Sequence, residues 1–435
     1  MVSYGFACPL HIDARTPTTS RGKSKLLKDR NILLVVSARF ISRLGGTAAF
    51  FIGVWGTAAY EFHATTQQLA FLMMGSAVAG AVGSMIAGGL IDRFGPRRVL
   101  IGAELLTVPM VLMLASSTSL TPFIFWNAGF AFVGVPTFTA GASFAPYLVR
   151  GARDLEKMNS LIETAGSLGF VLGPAVGALV SRSSGPRSVL FVMAGASLVA
   201  ALLATLARLP VRHTDVAHGR PLAELRDGIK VAYSVPELRF LLLTATVIWF
   251  GFGAFSALEP LFYRDVVHVG VEWIGWINTL YGGGMVFGAW ILPRLSKRIM
   301  SMRGVLVMTA LVGAGTLAYV GTDKIPTIAV GAAVWGVIIG ATIPLIRTLL
   351  HVDAPHGYVG RVMGALQYHQ SAAELLPLAI APAFATIFGV QPVLIAGGAL
   401  VALTAISAYP VAARIDRAKA LRTSSVPEAS AVTQA

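Results

Sequence analysis

The sequence predicts an all-α polytopic membrane protein, with twelve transmembrane helices arranged as two six-helix halves that repeat one another. Three observations predict it. Apolar runs of spanning length recur along all 435 residues, of which 55% are hydrophobic and only 12% charged. A soluble chain carries about 25% charged residues, and a bilayer takes about 20 apolar residues per helix. The Lys and Arg residues fall almost wholly on one side of the alternating loops. Landmarks of the first half also recur in the second at nearly one offset.

The spans follow in order. Candidate helices start near Ile32, Leu69, Val99, Pro122, Leu161 and Val189, and again near Phe240, Ile274, Val305, Ile325, Val362 and Val390. The most polar internal stretch separates the sixth from the seventh. It carries Arg212, Arg220, Arg226, Lys230 and Arg239, and reads as a linker that is partly helical through Leu222–Tyr233. The expected organisation is a tail at 1–30, a first half at 31–208, a linker at 209–239, a second half at 240–416 and a tail at 417–435. Both tails are polar and are expected to lack order. No cleavable leader is visible, so the first helix is expected to serve as an uncleaved insertion signal. The single cysteine, Cys8, excludes an intrachain disulfide framework.

Charge orients the spans. With the N-terminus inside, Arg182, Arg187, Arg264 and Lys324 alone of the 34 Lys and Arg residues fall in outer loops, and Arg39 and Arg43 lie within the first span. The rest sit on the inner side, as the positive-inside rule requires. This distribution accounts for the net charge of +14 without nucleic acid. It places both termini in the cytoplasm and the chain, as a multi-pass protein, in the cell (inner) membrane.

The repeat is visible in two places. Leu90-Ile91-Asp92-Arg93-Phe94 aligns with Ile291-Leu292-Pro293-Arg294-Leu295 at an offset of 201 residues. The sixteen-residue interval from Met158 to Pro174 recurs from Arg361 to Pro377 at an offset of 203. Such agreement argues for duplicated halves. Pro293 stands where the first copy has Asp92, so the halves are not equivalent in function.

The segment Gly83 to Arg98, GSMIAGGLIDRFGPRR, joins a glycine-rich helix end to a charged turn. Gly83, Gly88 and Gly89 are expected to let a neighbouring helix approach closely. Gly88, Asp92, Arg93, Gly95, Arg97 and Arg98 follow the pattern G-x-x-x-D-R-x-G-R-[RK], with Pro96 shifting the last basic pair by one residue. This resembles motif A of the major facilitator superfamily, the loop between its second and third helices. In the fifth span, Gly166, Gly169, Gly173 and Gly177 recur every three or four residues and make one smooth helical face. Ser160, Gly169, Gly173, Pro174 and Gly177 resemble the antiporter motif, G-x8-G-x3-G-P-x2-G-G, of drug:proton antiporters, departing from it at Ser160 and Ala178. Small-residue helix packing describes the same face.

The run Ala38-Arg39-Phe40-Ile41-Ser42-Arg43-Leu44-Gly45 resembles the R-x-x-S-x-x-G opening of macrolide-efflux and siderophore-exporter-like members, and Glu104 stands where that branch often carries Asp. The likeness covers roughly Asn31 to Arg414. The arginine found in the fourth span of many drug antiporters has no match; Asn127 is the strong polar group there. The resemblance implies the major facilitator fold and secondary transport by alternating access. It implies proton-coupled efflux of an amphipathic small molecule, such as a drug, antibiotic, siderophore or metabolite, by a functional monomer. The alternative is an uptake permease or facilitator on the same fold. The motif A residues, with Arg361 at the start of the eleventh helix, would form the cytoplasmic gate.

Ionisable residues within spans cost about 2.5–3.5 kcal/mol on insertion scales, so each is a functional candidate. Arg39 and Arg43 share one helix face. Gln367, Gln370 and Glu374 are spaced by three and four residues, which draws one polar stripe down the eleventh helix. Glu374, mid-span and the deepest acid expected, is a candidate proton carrier or one half of a structural pair with Arg43. Glu163 is the second proton-coupling candidate. Both Glu163 and Glu104 are expected near helix ends, where snorkelling or a packing pair suits them, and Glu259 near water at the outer end. Phe252, Phe255 and Tyr281 are candidates for an apolar cavity wall or for plain core, and Trp55 for an interfacial anchor.

Other chemistries have no signature. The chain lacks a phosphate-binding lysine loop, and its eight His residues are scattered without metal-ligand spacing. No cofactor or metal is expected, and the lipid bilayer, a small-molecule substrate and protons are the expected partners. A membrane-embedded enzyme would need a cluster of His, Asp or Cys near an interface.

Overall fold

The computed structural model describes residues 28–149, 151–208, 221–355 and 357–424. Expectations on Cys8, His11, Arg150, Arg212, His213, His218, Arg220, His356 and residues 425–435 lie outside them. The first helix, α1 (Arg30–Glu61), begins where the Asp29 carboxylate accepts a hydrogen bond from the Asn31 amide at 2.9 Å. From Ala49 onward it widens into π-helical turns, Ala49–Val54 and Thr57–Glu61. A capping box of Thr65 and Gln68 opens α2 (Thr66–Phe94). Gly95, at φ 78°, turns the chain directly into α3 (Pro96–Ser116), whose leading proline is already set for a helix. The first half continues with α4 (Leu120–Ala142), a single turn at Ala145–Leu148, α5 (Ala152–Ser184) and α6 (Ser188–Leu206).

A linker helix, Pro221–Ser234, leads into the second half. There follow α7 (Pro236–Leu261, extended by a π-helical turn at Phe262–Val266), α8 (Glu272–Ile299), α9 (Met302–Val320), α10 (Ile325–Asp353), α11 (Val359–Phe388) and α12 (Val390–Ser424). Several boundaries differ from expectation; α5 starts at Ala152 rather than near Leu161, carrying polar turns ahead of its apolar run. The seventh helix starts at Pro236 rather than Phe240, because proline at the first helical position needs no amide partner. The twelfth runs through 417–424, where a tail is expected. Arg303–Asp416, Lys419–Asp353 and Arg422–Glu237 ion pairs fasten that extension to the starts of α9 and α7 and the end of α10.

Among the described residues, eleven helices are long and apolar enough to cross a membrane. The helix outside that count is α8. Asn278, Thr279 and Gly282-Gly283-Gly284 lower its hydropathy, yet it occupies a full place in the bundle between α5 and α10. The glycines explain both facts. A Cβ on Gly284 would lie 3.0 Å from the Val337 amide nitrogen, and one on Gly288 3.0 Å from that of Ala341. α8 therefore packs backbone to backbone on α10, as small-residue membrane interfaces do.

Helix pairing shows the internal repeat. In the first half α1 packs on α5, α2 on α4 and α3 on α6; in the second α7 packs on α11, α8 on α10 and α9 on α12. The contacts between halves, α5 with α8 and α11 with α2, obey the same shift of six helices. The halves meet closely at the end away from the termini. There Tyr60 Oη donates to the Val269 carbonyl at 3.0 Å, and Arg264 Nη1 donates to the carbonyls of Ala59 and Ala64 at 2.6 and 3.1 Å. At the end carrying the termini, Asp92, Arg93, Arg98, Glu163 and Gly360 are all exposed. The bundle is sealed at one end and open at the other.

Candidate functional site

In the first half, the polar centre is built on α1. Arg39 and Arg43 lie one turn apart, and Arg39 Nη1 donates to the Phe138 carbonyl of α4 at 2.9 Å. Its guanidinium lies 4.4 Å from the centre of the Phe138 ring. A Cβ on Gly141 or Gly166 would come 3.1 or 3.2 Å from that guanidinium, so these glycines of α4 and α5 leave room for it. The Arg43 guanidinium sits 5.2 Å from the Phe138 ring and 5.3 Å from Phe170 of α5, within cation–π range. Both arginines, with Ser42, Thr47, Phe138 and Phe170, line a cavity of about 360 Å³. Glu163 on α5 is the carboxylate whose charge acts on both, and it is itself exposed.

The glycine face of α5 seats this centre. A Cβ on Gly169 would stand 2.7 Å from the Phe40 carbonyl oxygen, and one on Gly173 2.5 Å from that of Leu44. One on Gly177 would meet Ile52 at 2.9 Å. This face therefore packs on α1. Pro174 lies on the neighbouring face, where its carbonyl abuts Gly275 of α8 across the two halves.

The second half presents Glu374. Half-buried in mid α11, it accepts a hydrogen bond from Ser256 Oγ of α7 at 2.9 Å. Gln370 is 6% exposed while Gln367 is open, so the polar stripe enters the packed interior at its lower end. No described cation pairs with Glu374; the expected contact with Arg43 is not made here, because α1 packs on α5 and α6 while α11 packs on α7 and α2. Nor is Glu374 the deepest acid. Glu104 is 0% exposed, and among the described residues none donates a hydrogen bond of normal geometry to either of its oxygens. Glu259 is 7% exposed, far from the water expected around it, and accepts bonds from Asn278 Nδ2 at 3.1 Å and Tyr319 Oη at 2.7 Å.

The aromatic candidates gather around a residue that sequence reasoning passed over. Rings of Phe252, Phe255, Tyr281 and Tyr319 stand 5.1–5.5 Å from that of Trp335, which donates its indole N–H to the Val312 carbonyl. Trp335 lies mid-span in α10, where a tryptophan is not an interfacial anchor; that position was the available signal. Trp55 is likewise buried, its indole N–H directed at Met73 Sδ, rather than anchored at a membrane surface. Asn127 is not on the cavity wall. Its Nδ2 donates to Ser76 Oγ at 2.5 Å and so fastens α4 to α2.

The charged turn after α2 splits by role. Arg97 donates to the Ala204 and Thr205 carbonyls at 3.0 and 2.5 Å, a strap within the first half. Asp92, Arg93 and Arg98 stay at the open end, with Arg93 near the Phe94 ring. Arg361 lies beside the Tyr358 ring and its carbonyl abuts Gly228 of the linker helix. Gly83 meets the Phe132 carbonyl, as close packing requires, but Gly88 and Gly89 have nothing within 4 Å. Their face belongs to the end at which the halves stand apart.

Two six-helix halves related by a shift of six helices, with polar groups in mid-span, have the repeat architecture of many membrane transporters. Comparison with known proteins agrees. Residues 35–376 match the family model of the Major Facilitator Superfamily, and the chain belongs to that superfamily. Over 333 residues it is 27% identical to the multidrug efflux pump Tap of Mycolicibacterium fortuitum, covering 72% of this chain and 80% of that one. It is 25% identical over 303 residues to the multidrug resistance protein MdtG of Serratia proteamaculans (strain 568), covering 68% and 71%. The crystal structure of the nucleoside transporter NupG superposes with a TM-score of 0.71 at 12% identity, covering 87% of this chain and 98% of that one. The chain is a multi-pass membrane transporter of small molecules, on a fold and in a family that are not those of enzymes.

Proposed function

We propose that the protein exports amphipathic small molecules in exchange for protons, from the cell (inner) membrane, as a monomer with both termini in the cytoplasm. The observation that carries this reading is Glu374, a mid-span carboxyl group whose partner is the neutral Ser256 hydroxyl. A carboxyl group with no fixed cation beside it is free to take up and release a proton as its surroundings alternate. The positive-inside asymmetry supports a cytoplasmic open end, and in this reading the structure is the state that collects cargo from the cell. Likeness to pumps named for multidrug efflux supports the outward direction.

Inside-out membrane vesicles with an acid lumen test the reading. They should accumulate amphipathic fluorescent substrates severalfold over vesicles lacking the protein, and lose them when a protonophore is added. Accumulation by right-side-out vesicles instead would mark an uptake permease.

In the same reading, the Asp92 turn is the cytoplasmic gate. When that end closes, Asp92 meets the N-terminus of α11 near Gly360, Arg361 and Val362. A carboxylate there gains about 0.3–1 kcal/mol from the partial positive charge of the helix end. Asp92→Asn should leave expression unchanged, enrich the open-end-inward state and slow transport severalfold. Distance distributions between spin labels across the cytoplasmic end check this, and an unaltered distribution would refute the gate.

A further inference from the structure

We propose that the first-half cavity binds the anionic group of the cargo, so that the preferred substrate is an amphipathic organic anion: a carboxylate, sulfonate or phosphate carried on an apolar ring system. This names the substrate class for the transporter proposed above and rests on that reading for its word "cargo". The Arg43 guanidinium makes no hydrogen bond and no ion pair with any described residue. Phe138 and Phe170 lie against its guanidinium, which leaves its N–H donors for a partner from outside. One turn away, Arg39 spends Nη1 on the Phe138 carbonyl, while its buried Nε has no acceptor among the described residues.

Nothing fixed neutralises this pair. Among the described residues no carboxylate lies within ion-pair distance of either arginine. Glu163 acts on them from an exposed position, and Glu104, near Ser42 and Ser197, is not among the residues that line the cavity. The hydroxyls of Thr47, Thr107 and Thr137 donate to carbonyls of their own helices, so they do not compete as donors. Two like charges on adjacent turns repel one another, and a bound anion relieves both. Gly141 and Gly166 hold space open around the guanidinium of Arg39. Phe50, Phe51 and Phe130 complete an apolar wall beside the charges. At about 360 Å³ the cavity falls within the range of small-molecule sites.

The test uses the full chain in nanodiscs and two probes on one ring system, 2-naphthalenesulfonate and trimethyl(2-naphthyl)ammonium, titrated by calorimetry. The sulfonate should bind the wild-type protein more tightly than the ammonium ion by about tenfold or more. Arg43→Gln should weaken the sulfonate by about tenfold or more, and Arg43→Lys by no more than about threefold to fivefold. Equal affinities of the two probes for the wild-type protein would overturn the proposal whether or not a variant folds, as would unchanged sulfonate binding by a folded Arg43→Gln protein. A lipid headgroup offers the same chemistry, so the titration is run in phosphatidylcholine and in phosphatidylglycerol nanodiscs. Equal sulfonate affinity in both supports a soluble anion; a tenfold loss in phosphatidylglycerol would assign the site to lipid and overturn the cargo. No gradient enters the measurement, so its outcome is separate from that of the vesicle experiment on transport direction.

Discussion

Gly173→Ala is expected to abolish most transport, with Gly173→Leu no worse than a completion of the same loss. A Cβ at this position meets Thr47 Oγ1, the Leu44 carbonyl oxygen at 2.5 Å and the Ala48 amide nitrogen at 3.1 Å. Two of these three are backbone atoms of α1, which cannot step aside as a flexible side chain does. Thr47 is also tied down, since its hydroxyl donates to the Arg43 carbonyl and lies 3.1 Å from the Gly169 carbonyl of α5. Either variant must therefore push α5 off α1. Overpacking of this kind typically costs about 1–3 kcal/mol, and here it also displaces the helix that carries Arg39 and Arg43. Sequence alone suggests that alanine would be mild, because a glycine repeat reveals a close contact without its distance. Gly195→Ala, at an exposed position on α6 with nothing within 4 Å, is the matched control and should behave as wild type. Transport rate and thermal unfolding in detergent, measured for both, decide the matter. Wild-type transport by Gly173→Ala would mean that α1 and α5 do not pack this closely.

Glu374→Gln should separate binding from coupling. The amide is nearly isosteric with the acid, and its Oε1 can accept the Ser256 hydrogen bond that the carboxyl accepts now. The variant should fold, bind substrate and exchange it passively, yet lose its ability to concentrate it, by about tenfold or more in accumulation ratio. Glu374→Asp keeps the ionisable group but shortens its reach to Ser256, and partial activity is expected. Should Glu374→Gln still concentrate substrate, Glu163, exposed at the open end, becomes the group to examine next.

Much of the architecture was legible in the sequence because bilayer thickness forces long apolar runs, and positive charge marks one side. The order of the helices, the charged turn after α2 and the glycine face of α5 follow from those constraints. Rotation about each helix axis does not. A residue's depth is set by its place along the span, but whether it meets lipid, cavity or core depends on which neighbour packs there. Glu259 illustrates this: near a helix end by position, it is enclosed by Asn278 and Tyr319 from α8 and α9. Trp55 is buried rather than interfacial for a related reason. π-helical turns from Ala49 onward re-phase the faces of α1, which no regular 3.6-residue pattern anticipates. The twelfth member, α8, escapes a purely hydropathic criterion because its glycines serve backbone packing on α10 rather than contact with lipid.

The central claim is that substrate movement is driven by protons exchanging at Glu374. Its most direct test is substrate-induced proton flux in proteoliposomes holding a pH-sensitive dye, with no imposed gradient at the start. Substrate added on one side of wild-type protein should drive protons in the opposite direction, and Glu374→Gln should pass substrate without any proton signal. Substrate movement by the wild-type protein with no accompanying proton flux, or an undiminished flux in the Gln variant, would contradict it.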